Sequence, residues 1–66
     1  MHLTVNGDQR EVEDGTTLVA LLEGLGLPVR SVVVERNGTA LLPSEVPSVV
    51  LEDGDALELV RAVAGG

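Results

Sequence analysis

The two residues with the most direct chemical meaning come last, Gly65 and Gly66. Glycine makes up about 7% of average usage, so two in these two positions should arise by chance in roughly half a percent of chains. Chain ends commonly fray, and a pair of glycines is compatible with that alone. The chemical reading makes the α-carboxylate of Gly66 the reactive group. It would be carried on an arm without Cβ atoms, which can thread a narrow channel by its backbone. Such a carboxylate is ionised at neutral pH, and it is a poor electrophile until another molecule activates it. The rest of the chain is then expected to be a handle that presents Gly66 to enzymes.

Other residue types offer little competing chemistry. His2 is the only histidine and there is no cysteine, so neither a thiolate metal site nor a Cys–His pair can be assembled. His2 reads as a surface residue of the first strand. Glu52-Asp53-Gly54-Asp55 is rich in carboxylates but lacks the twelve-residue spacing of an EF-hand loop. It reads as a turn, and no metal is expected.

Composition narrows the function classes. The net charge is −7, with Arg10, Arg30, Arg36 and Arg61 as the only basic side chains besides His2. Nucleic-acid binding and adhesion to an anionic membrane both need basic charge, so neither is expected. An acidic surface suits a partner with basic patches, and it serves solubility equally well. There is no Lys, hence no side-chain amine to capture an acyl group activated on the chain itself; a general bias towards Arg over Lys would produce the same composition. No apolar run is long enough to span a bilayer, and the N-terminus lacks a signal layout. The expectation is a soluble cytoplasmic protein, monomeric when free.

The elements that would position Gly66 can be read in order. With 66 residues and no Phe, Tyr or Trp, the core must come from the 12 Val and 11 Leu. His2–Asn6 alternates with Leu3 and Val5 inward, Asn6-Gly7-Asp8 is a turn, and Arg10–Glu13 reads as a second strand. Thr16 is the expected N-cap of a helix of about nine residues whose Leu18, Leu21, Leu22 and Leu25 share one stripe. Gly24 and Gly26 are candidate C-caps, and Pro28 ends the element. Ser31–Arg36 and Thr39–Leu42 form a second hairpin about Asn37-Gly38, stopped by Pro43. Residues 44–47 are a loop with room for one helical turn begun by Ser44, and Val49-Val50-Leu51 is a short apolar piece. In the last strand, Ala56–Val63, alternation turns Leu57 and Leu59 inward, leaving Glu58, Val60 and Ala62 outward. Val60, Ala62, Val63 and Ala64 are therefore candidate partner-binding residues beside the tail, although scattered exposed apolar residues are also ordinary. The order β-β-α-β-β-β in one α+β domain, residues 1–63 with a tail at 64–66, is that of a mixed sheet wrapping one helix, the β-grasp or ubiquitin-like fold.

The same residues carry a resemblance. Asn6-Gly7, Gly15-Thr16-Thr17-Leu18 with Leu21-Leu22, Val34–Gly38, Pro43, Asp53-Gly54-Asp55 and Val63–Gly66 follow in an order similar to the ThiS family. These are ubiquitin-like sulfur carriers of thiamine (thiazole) biosynthesis. The resemblance implies that an E1-like, ThiF-type adenylyltransferase joins the Gly66 carboxylate to AMP from ATP. Sulfur originating from a cysteine desulfurase then gives a thiocarboxylate, from which a ThiG-type thiazole synthase takes the sulfur. It further implies that the chain is a carrier rather than an enzyme, binds no cofactor itself, and leaves ATP to its partner. Three alternatives remain at this level: a sulfur carrier for molybdopterin synthesis, a ubiquitin-like protein modifier, and a plain β-grasp interaction domain. The absence of aromatic residues argues against the first, and the absence of Lys forbids self-conjugated chains in the second.

Overall fold

Both Asn-Gly pairs make the turns that their backbone chemistry allows. The computed structural model describes residues 1–61. In it Asn6 and Gly7 have φ of 50° and 84°, and Asn37 and Gly38 have 52° and 85°. Positive φ at both central positions gives the primed two-residue turn, whose twist matches that of paired strands. The first turn joins β1 (His2–Val5) to β2 (Asp8–Glu11), with Val5 directly opposite Asp8. The second strand thus starts at Asp8 rather than at Arg10, because a two-residue turn leaves no residue to spare. The second turn joins β3 (Val32–Arg36) to β4 (Thr39–Ala40). β4 is shorter than the expected Thr39–Leu42. The Leu42 amide donates to the Glu45 side chain at 2.7 Å, which draws the chain out of the sheet ahead of Pro43.

Helix α1 (Leu18–Gly24) is capped by Thr17, whose hydroxyl accepts from the Ala20 amide at 3.1 Å. The expected cap, Thr16, is one residue early for a physical reason. Thr17 bridges Val50, the Leu18 amide donates to the Val49 carbonyl, and the Leu51 amide donates to the Thr16 carbonyl. These contacts hold the chain extended through Thr17, and Thr16 instead donates its hydroxyl to the Glu13 carbonyl. At the other end Gly26, at φ 72°, is the capping glycine. Its amide reaches Glu23 and that of Leu27 reaches Leu22, the paired bonds of a Schellman motif. Leu18, Leu21 and Leu22 are buried as the stripe requires. Leu25 is the C-cap and is only partly buried.

Short 3₁₀ turns cover Val29–Ser31 and Val46–Ser48. The second begins later than the helical turn expected from Ser44. Strand β5 (Ala56–Arg61) completes a sheet of order β2-β1-β5-β3-β4. It lies antiparallel to β3 and parallel to β1, so the sheet is mixed and the architecture is the expected β-grasp. The core joins Leu3 and Val5 of β1, Val34 of β3 and Leu57 and Leu59 of β5 to the helix, with Val46 and Leu51 closing the side. Among the described residues, no helix is long and apolar enough to cross a membrane.

Leu22 is wholly enclosed, at 0% exposure. Leu22→Ala should cost roughly 2–5 kcal/mol, a large part of the ~5–15 kcal/mol typical of a whole domain. Urea unfolding of the two proteins measures the difference. A loss below about 0.5 kcal/mol, the range of surface substitutions, would contradict this packing.

Candidate functional site

Alternation along β5 fixes what surrounds the exit towards Gly66. Leu57 and Leu59 are buried, while Glu58, Val60 and Arg61 are exposed. Val60 is 60% exposed and sits directly across from Val33, itself 51% exposed on β3. Two residues along, Glu58 stands opposite Glu35. The outer face beside the exit therefore presents an apolar pair followed by a like-charge pair, and like charges directly opposite repel. Of the candidate residues, the structure places Val60 on this face. Ala62, Val63, Ala64, Gly65 and Gly66, and with them the expected boundary between domain and tail, lie outside the described residues.

The start of β5 is held by a buried carboxylate. Asp55 is 4% exposed. One of its oxygens accepts from the Glu52 amide at 2.9 Å and from Arg36 Nε at 3.0 Å, with Arg36 Nη2 at 2.9 Å; the other accepts from Asn37 Nδ2 at 3.0 Å. Burial pushes the Asp55 carboxyl up. The Glu52 amide, the Asn37 carboxamide and the Arg36 guanidinium together outweigh burial and leave it below the ordinary value. Asn37 also accepts from the Ala56 amide at 2.9 Å, so the β3–β4 turn is tied to the first residue of β5. The Asp-Gly-Asp stretch is thus a structural lock. Asp53 accepts from the His2 amide at 2.6 Å, and among the described residues no cluster suited to a metal ion occurs. His2 is exposed on β1, as expected.

Asp55 lies in a turn rich in acid, yet Asp55, Leu57 and Leu59 share one alternation phase, which points Asp55 inward. Val33 carries no signal of its own in the sequence, because three consecutive valines give no phase. A cleft of about 580 Å³ opens elsewhere, beside Leu41, Val49 and Val50. The Arg36 head at its edge is already committed to Asp55 and to the Val50 carbonyl.

The fold has counterparts among known proteins. The sequence model of the ThiS family matches residues 3–66. This chain belongs to the ThiS family. It is 42% identical over 62 residues to the sulfur carrier protein ThiS of Thermus thermophilus, covering 94% of this chain and 95% of that one. It is also 41% identical over 66 residues to a thiazole synthase of Paramagnetospirillum magneticum. It spans only 20% of that protein's length, and likewise 20% of a thiazole synthase of Magnetococcus marinus at 39% identity. The crystal structure of the thiamine biosynthesis protein ThiS from Geobacter metallireducens superposes with a TM-score of 0.83 at 33% identity, covering all of both chains.

Two outcomes test this arrangement. Since the Asp55 carboxyl is lowered in the fold, its contribution is complete above the unfolded value of about 3.9 and is lost as pH falls through the lower folded value. Asp55→Asn should cost roughly 1–3 kcal/mol at pH 7 and should flatten the acid limb of stability against pH. Urea midpoints from pH 7 down to about 2 measure both, and an unchanged acid limb in the variant would refute the lock. Val60→Asp should leave stability within about 0.5 kcal/mol while weakening partner binding by about tenfold, the scale of a contributing interface residue. Titration against a ThiF-type adenylyltransferase, the partner that the family resemblance implies, reads the second effect, and unchanged affinity would return Val60 to surface scatter.

Proposed function

We propose that this chain is a sulfur carrier of thiamine biosynthesis whose working group is the Gly66 carboxylate. The observation that carries this reading is a family match running through residue 66, and so through Gly65 and Gly66. A relative of nearly equal length named as a sulfur carrier supports it. In the proposed reaction the carboxylate oxygen attacks the α-phosphate of ATP in a ThiF-type adenylyltransferase, releasing pyrophosphate and leaving an acyl-adenylate. Persulfide sulfur from a cysteine desulfurase then displaces AMP: a C–S bond forms as the C–O bond to AMP breaks, and a partner thiol cleaves the S–S bond of the resulting acyl disulfide, itself being oxidised to a disulfide. The resulting thiocarboxylate gives its sulfur to the substrate of a ThiG-type thiazole synthase: the acyl C–S bond breaks, and oxygen from that substrate or from water takes its place and restores the carboxylate. The two thiazole synthases each contain a stretch alignable with the whole of this chain, which supports an acceptor of that class.

In this scheme the chain contributes presentation and the partners contribute catalysis. Gly65 and Gly66 supply an arm free of side chains, and Val33 and Val60 supply an apolar spot for the partner. Glu35 and Glu58 favour a partner surface that carries basic groups. Val63, Ala64 and Ala62 would line the entrance behind the glycines. ATP binds the adenylyltransferase, and the carrier works in the cytoplasm.

Intact-mass analysis of the protein from its native cell tests the proposal directly. A mass raised by one oxygen-to-sulfur exchange at Gly66 is the expected result; a ladder of conjugates on other proteins would indicate a modifier. Removing Gly66 should abolish ATP-dependent activation by the adenylyltransferase with no change in urea midpoint. A truncated chain that is still activated would sink the assignment of the reactive group.

A further inference from the structure

The Asn6 side chain makes two hydrogen bonds that its turn does not require. Its Oδ1 accepts from the Leu59 amide at 2.7 Å, and its Nδ2 donates to the Leu59 carbonyl at 3.2 Å, across 53 positions of sequence. The backbone ladder between β1 and β5 covers only Thr4 with Ala56 and Val5 with Leu57. It ends where the Asn6 amide donates to the Leu57 carbonyl at 2.9 Å. Beyond that point the chain turns through Asn6 and Gly7 and leaves β5. A carboxamide has the same donor and acceptor as a peptide group, so the Asn6 side chain replaces the next rung of the ladder. A Gly-Gly turn would serve the backbone equally well, but it would leave both polar groups of Leu59 unpartnered on this side.

We infer that Asn6 is a positioning residue: its carboxamide fixes on the β1 side the last part of β5, the strand from which the chain runs on to Gly66. Leu59 is the last described residue of β5 tied to the β1 side, both of its backbone polar groups bonding Asn6, and it stands opposite Val34 of β3 on the other side. After it, Val60 and Arg61 are paired to β3. An extended chain gains at most about 3.3–3.6 Å per residue, so the reach from a fixed Leu59 to Gly66 has a definite upper limit. When the clamp is open, β5 is held near its end from one side only. The strand then frays, and the carboxylate arrives at the partner's nucleotide from a variable distance. A misplacement of even 1 Å is enough to slow a chemical step strongly. The functional half of this inference rests on the carrier role proposed above.

The test is Asn6→Gly in the full chain, since glycine keeps the positive φ at no cost and removes only the carboxamide. Amide hydrogen exchange should show Leu59 exchanging at least about fivefold faster, the effect of losing roughly one to two net hydrogen bonds, with Leu21, Leu22 and Val34 unchanged. In ATP-dependent activation by the adenylyltransferase, the variant should lose kcat several-fold while KM changes little, because the Val33 side of the docking face is intact. Unchanged protection at Leu59, or equal acceleration at every amide, overturns the clamp. A variant with an exposed Leu59 amide but wild-type kcat overturns the positioning role alone. A wild-type chain that is not activated overturns the carrier reading and this role with it, while the exchange result still decides the clamp.

Discussion

The structure depends on one constraint: the strand that comes last in the sequence must lie at the centre of the sheet. β5 separates β1 from β3, so neither hairpin can complete its side of the sheet until Ala56–Arg61 is inserted between them. The contacts that do this are non-local, joining Thr4 to Ala56 and Asn6 to Leu59. Such contacts have large closure costs that must be met before they reward the fold. The segment that leads to Gly66 is therefore anchored by the whole domain rather than hung from an edge.

Two asparagines adapt the hairpins to this constraint. Asn37 ties the first residue of β5 to the β3–β4 turn, and Asn6 ties Leu59 to the β1–β2 turn. In each case one residue type does two jobs. Its tolerance of positive φ makes the turn, and its carboxamide pairs with the backbone of the inserted strand. Asp55 adds a third tie between these elements, with Arg36 and Asn37 as partners. An all-aliphatic core packs by shape alone and tolerates rearrangement before it loses stability. In a core without a single aromatic ring, these directional bonds supply register that apolar packing does not. Among the described residues no buried side-chain polar atom lacks a partner, so the network is complete and rigid.

The sequence was legible where local chemistry decides. Asn-Gly turns, the Leu18–Leu21–Leu22 stripe, the inward phase of Leu57 and Leu59 and the resulting element order all follow from short-range patterns, and the structure agrees with each. Boundaries moved where a distant partner intervened: the bridge from Thr17 to Val50 shifted the helix cap from Thr16, and Glu45 shortened β4. The parallel pairing of β1 with β5 had no local signature at all, because residues 52 positions apart leave no pattern in a window. The same limit applies to the site. Val60 could be assigned outward from its own strand, but its neighbour Val33 became visible only with the β3–β5 register. Asn6 looked like a complete explanation of a turn, which concealed its second role.

The outer face also has a consequence for how a carrier would work. A protein that serves one enzyme as acceptor of AMP and another as donor of sulfur must leave each after the reaction. The apolar spot here is small, two half-exposed valines, and so the hydrophobic part of any complex is limited. Beside it, Glu35 and Glu58 repel one another in the free chain. A basic group on a partner would relieve that repulsion on docking, and charge of this kind raises the rate of encounter more than the final affinity. In the proposed carrier role, fast arrival, modest affinity and a last strand fixed at Leu59 would together let a carboxylate be delivered, altered and withdrawn. None of them requires a catalytic side chain in the carrier. The acidic composition, ambiguous in the bare sequence between solubility and partner choice, acquires a local meaning at this one pair of glutamates.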